Sequence, residues 1–94
     1  MTDRGYTRTK EDYGKRLSRI EGQVRGVRRM IDEDAYCIDV LTQVSAITKA
    51  LQAVALGLMD EHVRHCVRHA AEHGDDLEAK IDEVTRSIER LLKT

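Results

Sequence analysis

The sequence predicts an all-α protein of three helices, in which the middle helix is much longer than its neighbours. The 94-residue chain has no proline, no Trp, no Phe and only six glycines, so it lacks the turn residues that strand-rich folds usually need. Apolar residues recur three or four positions apart along three stretches, which is the spacing of one helix face. A single domain of this length has a thin aliphatic core, which favours oligomerisation.

The first predicted helix begins near Thr9, after a mobile tail over residues 1–8, and residues 9–94 are expected to form one helical domain. The acidic run at 32–34 interrupts the helical pattern and offers Asp32 or Asp34 as a cap for the next helix. The apolar seam of the first helix consists of Leu17, Ile20, Val24, Val27 and Ile31.

The second predicted helix runs from Tyr36 to about Ala71. At about 1.5 Å per residue, some 35 residues give a rod of roughly 50 Å. Two shorter helices do not cover the apolar residues that extend around much of this long helix. We therefore expect an antiparallel dimer built as a four-helix bundle. Its seam consists of Ile38, Leu41, Val44, Thr48, Leu51, Ala55, Leu58, His62 and Cys66.

The third predicted helix follows Gly74, which is a plausible stop for the second helix. Asp75 or Asp76 is the expected cap of the third helix. An apolar residue every three or four positions from Leu77 to Leu91 gives this helix one buried face.

Charge is distributed unevenly along a chain whose net charge is only −1. Residues 1–29 hold nine Lys or Arg against four acids, a balance of +5, whereas the rest holds seven basic and thirteen acidic side chains. On a helical wheel, basic residues lie opposite the apolar seam and Arg16 flanks it. This stripe suits phosphate contacts, although a solvated helix face explains it too. The stripe comprises Arg8, Lys15, Arg19, Arg25 and Arg29.

A metal site is indicated by His62 and Cys66, which share one helix face because they are four residues apart. Cys37 lies 29 residues before Cys66, about 43 Å along one unbroken helix. An antiparallel partner would bring its Cys37 to this pair. Two thiolates and one imidazole suit Cu(I). Zinc remains open because His69 or His73 would complete a tetrahedral site, and two structural cysteines beside a solvent-facing histidine are the simplest alternative.

Other functional classes fit the sequence poorly. No stretch approaches the roughly 20 apolar residues that span a bilayer, and the polar N-terminus is unlike a signal peptide. We therefore expect a cytoplasmic protein with reduced thiols and no membrane partner. No phosphate-binding loop or nucleophile motif is present, so we do not expect an enzyme.

Three segments resemble the copper-sensitive operon repressor (CsoR) family: RLxRIEGQVRG at 16–26, DAYCIDVLTQVSA at 34–46 and EHVRHC at 61–66. The resemblance covers about residues 13–94. It implies a homotetramer, a dimer of antiparallel dimers, that represses copper efflux or buffering genes by binding operator DNA. It also implies one Cu(I) per protomer, held between subunits by Cys37, His62 and Cys66. A copper chaperone is then a candidate Cu(I) donor.

The resemblance also implies supporting roles for other residues. Tyr36 and a third-helix acid surround the metal ligands, with Glu83 the best match and Asp82 its rival. Candidate DNA contacts are Lys15, Arg16, Arg19, Arg25 and Arg29 on the first helix and Lys49 on the second, although the family position on the second helix falls near Ala53.

Two alternatives to copper sensing stay open. One is a repressor on the same scaffold that senses thiol redox state or reactive sulfur through a disulfide between Cys37 and Cys66 of different subunits. The other is a helical metal buffer with no role at DNA. Nickel- and cobalt-sensing relatives use a histidine near the N-terminus, and this chain has none before His62.

Overall fold

A computed structural model of the protein describes residues 5–74 and 77–93. A short 3-10 helix, Thr7–Thr9, precedes three α-helices: α1 (Lys10–Asp32), α2 (Cys37–His73) and α3 (Leu77–Lys93). Within the described residues every regular element is helical. The predicted class, all-α with a long central helix, is confirmed.

The connection between α1 and α2 differs from the expected one. Asp34 has a φ of 57°, a left-handed conformation that Asp tolerates better than most residues. Its N–H donates to the carbonyl of Ile31, and the next N–H donates to that of Met30. These bonds end α1, so the prediction that Asp32 or Asp34 caps α2 is wrong. The N–H groups of Asp39 and Val40 donate instead to the carbonyl of Tyr36.

The far end of α2 closes as predicted. Gly74 has a φ of 67°, and its N–H donates to the carbonyl of Ala70 at 2.8 Å. A glycine suits this helix end because a left-handed residue without a Cβ carries no steric penalty. The predicted caps of α3, Asp75 and Asp76, lie outside the described residues.

The length of α2 corrects one expectation. Its 37 residues include an 18-residue window with a mean hydropathy of 1.2, so α2 is long and apolar enough to cross a membrane. This finding differs from the prediction that no stretch of the chain is apolar enough to span a bilayer. Length and composition are weak evidence for a membrane, because core helices of soluble proteins meet the same criterion.

The chain divides into two compact units, of which one spans Thr9–Leu56. Its buried side chains are Ile20 of α1 and Ile47 and Val54 of α2. Most of the predicted seams stay exposed, so the unit has more apolar surface than its own helices cover. The exposed apolar residues include Leu17, Val24 and Ile31 on α1, and Leu41, Val44 and Leu51 on α2. We call the last three the α2 apolar stripe.

The other unit joins residues 1–8 to residues 57–94. Cys66 and Ala70 are its buried apolar side chains among the described residues. Gly5 lies against α2, where an added Cβ would be 2.5 Å from the carbonyl oxygen of Glu61. The described part of the predicted tail therefore contacts the helix that carries the candidate ligands, and the mobility of the tail stays a prediction.

Candidate metal centre

Two of the three predicted ligands lie together on α2. The Sγ of Cys66 is 3.5 Å from the Nε2 of His62, because a spacing of four residues stacks the two side chains on consecutive turns. Cys66 is buried, whereas the side chain of His62 is 44% exposed. A buried soft sulfur beside an accessible imidazole is suited to a metal that approaches from solvent.

A carboxylate of α3 meets the same imidazole. The Oε1 of Glu83 lies 3.5 Å from the Nε2 of His62. Glu83 is half exposed and Asp82, the alternative acid, is exposed. The structure therefore brings Glu83 to the predicted ligand pair, and the role of Glu83 there stays a prediction.

The remaining predicted site residues stand at the start of α2. Cys37 is the first residue of the helix and is exposed, with a free thiol. Tyr36 immediately precedes it and is 69% exposed. Within residues 5–74 and 77–93, no group of three or more His, Cys, Asp or Glu side chains is arranged to hold a metal ion. One chain thus presents the predicted ligands as a pair and a separate thiol.

The chemistry of this donor set is selective. Thiolates and imidazole are soft or borderline ligands, which suit Cu(I) and zinc, whereas hard cations such as Mg²⁺ and Ca²⁺ prefer oxygen. Three such donors are enough for Cu(I), but zinc usually takes four. The residues therefore fit Cu(I) once a second thiolate joins His62 and Cys66.

The candidate DNA contacts are all solvent-exposed. They are Lys15, Arg16, Arg19, Arg25 and Arg29 on α1 and Lys49 on α2. The guanidinium of Arg16 lies over the ring of Tyr13, 5.8 Å from its centroid. The charge pattern alone does not point to Tyr13, although its position three residues before Arg16 predicts contact on a helix.

The sequence and the all-helical fold place the chain in a class of regulatory proteins. Residues 9–90 match the family model of the metal-sensitive transcriptional repressors, and the chain belongs to this family. The predicted resemblance is thus confirmed. Members of this family are metal-sensitive transcriptional repressors.

Individual proteins that are similar to this chain are regulators that respond to copper or nickel. The chain is 57% identical over 91 residues to the copper-sensing transcriptional repressor RicR of Mycobacterium tuberculosis, covering 96% of this chain and 95% of that protein. It is similar to the crystal structure of the copper-sensing repressor CsoR with Cu(I) from Geobacillus thermodenitrificans, with a TM-score of 0.84, 41% identity and coverage of 98% and 94%. The nickel-responsive regulator InrS gives a TM-score of 0.76 at 39% identity, with coverage of 85% and 89%.

Proposed function

We propose that this protein is a Cu(I)-responsive transcriptional repressor, which binds operator DNA without copper and releases it when Cu(I) binds. The pairing of His62 with Cys66 at 3.5 Å carries the proposal, and the high identity to a copper-sensing repressor over nearly the whole chain supports it. The regulated genes would encode copper efflux or buffering proteins. The protein would act in the cytoplasm, with a copper chaperone as a candidate Cu(I) donor.

The choice of copper depends on the ligands, because the fold is shared with a nickel-responsive regulator. Nickel favours nitrogen and oxygen donors, whereas thiolates favour Cu(I). His62 and Cys66 supply one imidazole and one thiolate, and Cys37 of a second subunit would supply the other thiolate. When bound, Cu(I) would link two subunits at each of these sites, one per protomer.

Glu83 determines which nitrogen of His62 is available. A carboxylate only accepts hydrogen bonds, so its contact with Nε2 favours the tautomer that carries the proton on Nε2. The neutral ring then has its lone pair on Nδ1, so the ring would have to turn to direct Nδ1, and not Nε2, toward a metal held by the Cys66 Sγ, which lies 3.5 Å from Nε2. Metal-binding histidines commonly donate their other N–H to a carboxylate in this way, and both thiols must lose a proton before they ligate.

The exposed apolar residues support assembly into dimers and tetramers. Val24 is 51% exposed and Leu51 is 46% exposed, and covering the exposed half of each side chain would gain about 0.8–1.5 kcal/mol. A second copy of the chain would cover them, which would also bring Cys37 of one subunit to His62 and Cys66 of another. The basic residues of α1 would then face DNA.

Mixing two inactive variants tests the intersubunit site. Cys37→Ala and Cys66→Ala each remove a thiolate, so each protein alone should bind Cu(I) weakly. A mixed dimer has one complete site, made of Cys37 from one variant and of His62 and Cys66 from the other. Unfolding and refolding the mixture should restore tight binding, whereas a site within one chain would not recover.

An electrophoretic shift assay tests the regulatory function, with a duplex selected by the apo-protein from a random-sequence pool. Anaerobic addition of Cu(I) should release the duplex, and Cys37→Ala should abolish that response. DNA binding that is insensitive to copper would refute the proposal. Release by an oxidant without copper, together with a disulfide-linked dimer, would favour the redox or reactive-sulfur sensor instead.

A further inference from the structure

Three histidines outside the copper site line the last turns of α2. His65, His69 and His73 follow one another at intervals of four residues. The rings of His69 and His73 are stacked, with their centroids 4.2 Å apart and their planes 17° from parallel. The rings of His65 and His69 are 6.4 Å apart and tilted by 37°. The histidine pair at the end of the helix is therefore the closer one.

The hydrogen bond of His73 to the backbone fixes which of its ring nitrogens carries the proton. Its Nδ1 lies 3.0 Å from the carbonyl oxygen of His69. A carbonyl only accepts, so Nδ1 must be the donor and carry the proton. The neutral ring then has its lone pair on Nε2. A backbone carbonyl that holds the other ring nitrogen is a usual partner of a metal-binding histidine.

We propose that His69 and His73 form a second metal site, which takes a borderline divalent cation such as Zn(II), Ni(II) or Cu(II). Two Zn–N bonds of about 2.0–2.1 Å allow at most about 4.2 Å between the two nitrogens. Because an imidazole lone pair lies in the plane of its ring, both stacked side chains would turn until their ring planes meet at the ion, and the four-residue spacing keeps them within reach of each other. Both residues are exposed, so water would complete the coordination shell. Imidazole nitrogens without a thiolate favour these ions over Cu(I).

The position of the pair at the end of α2 also favours the binding of a cation. α2 ends at His73, so the site lies on the last turn, where the carbonyl ends of the helix carry a partial negative charge. A cation is stabilised there and an anion is not. The preference for a borderline divalent ion over Cu(I) comes from the imidazole donors and not from the helix end.

Calorimetric titration with Zn(II) tests the proposal on the full chain with both cysteines replaced, Cys37→Ala and Cys66→Ala, so that no thiolate competes. We expect one Zn(II) per chain. In this background, His69→Gln or His73→Gln should weaken binding at least about tenfold, because each removes one of two protein ligands. The matched control is His65→Gln, which has the same spacing to His69 and should change the affinity less than about twofold.

The wild-type chain provides a second measurement that does not depend on the cysteine variants. Zn(II) added to the Cu(I)-saturated protein should shift the ring ¹⁵N resonances of His69 and His73 and leave those of His65 in place. Zn(II) binding that survives both His69→Gln and His73→Gln would overturn the proposal. An equal loss in His65→Gln would overturn it too, because the stacked pair would then have no special role.

Discussion

His62 and Glu83 connect α2 to α3 through a contact of 3.5 Å between Nε2 and Oε1. Both side chains are roughly half exposed, so solvent screens their attraction and the pair adds little to stability. In the proposed site, its main effect would be to fix the ring orientation and the position of the ring proton. α3 would therefore contribute to the copper site without supplying a ligand.

Glu83→Gln is expected to weaken Cu(I) binding by about 10- to 100-fold, which is typical when a carboxylate next to a metal-binding histidine is mutated. The amide of Gln can donate as well as accept, so it no longer selects one tautomer of His62. Competition with a Cu(I) chelator of known affinity measures the change.

Asp82→Asn is the matched control for that experiment, because it removes the same charge from the adjacent position of α3. It should leave the Cu(I) affinity within about twofold, since neighbouring helix residues point in different directions. An equal effect of the two substitutions would mean that total charge, and not the contact with His62, supports the site.

The periodic features of the sequence were sufficient to predict the helices and the pairing of His62 with Cys66. A spacing of four residues fixes which side chains share a helix face, and Gly74 marks a helix end through its own conformation. The prediction that Asp34 caps α2 is wrong because Asp occurs at helix N-caps and also tolerates the left-handed conformation that it adopts at the end of α1. The residue type alone does not show whether an Asp caps the following helix or ends the preceding one.

The burial pattern within the seams was less predictable. A seam identifies the apolar side of a helix but not which part meets the same chain and which part a partner. Ile20 is buried in the seam of α1, whereas Val24, one turn later, is 51% exposed. The position of Cys37 relative to His62 in an assembly likewise depends on a second subunit, which the periodicity of one chain does not fix.

Arg16→Ala is expected to weaken DNA binding and to reduce the slope of log affinity against log salt concentration by about one, the amount for one lost phosphate contact. Arg16 is exposed on α1, and its guanidinium lies over Tyr13. Fluorescence anisotropy at several salt concentrations measures the slope. Arg86→Ala, an exposed cation on α3, is the control and should leave the slope unchanged.

Leu51→Glu is expected to break the assembly, because a carboxylate in the α2 apolar stripe would have to be buried without a partner. Light scattering after size-exclusion chromatography should show a lower molar mass than for the wild type. Thr42→Glu is the matched control and should leave the molar mass unchanged. It places the same charge nine residues away, on the opposite side of α2, and Thr42 is exposed. Unchanged mass in Leu51→Glu would show that the α2 apolar stripe is not the contact surface.

Two glycine substitutions should have opposite effects on stability. Gly14 lies inside α1, and an added Cβ meets no atom within 4 Å, so Gly14→Ala should stabilise the protein by about 0.5–1 kcal/mol. Gly74→Ala should destabilise it by about 1–2 kcal/mol, because its φ of 67° is costly for a residue with a Cβ. Urea unfolding of both variants and the wild type at one protein concentration measures the difference, since the stability of an oligomer depends on concentration. A loss of stability in Gly14→Ala would instead place a partner subunit against that part of α1.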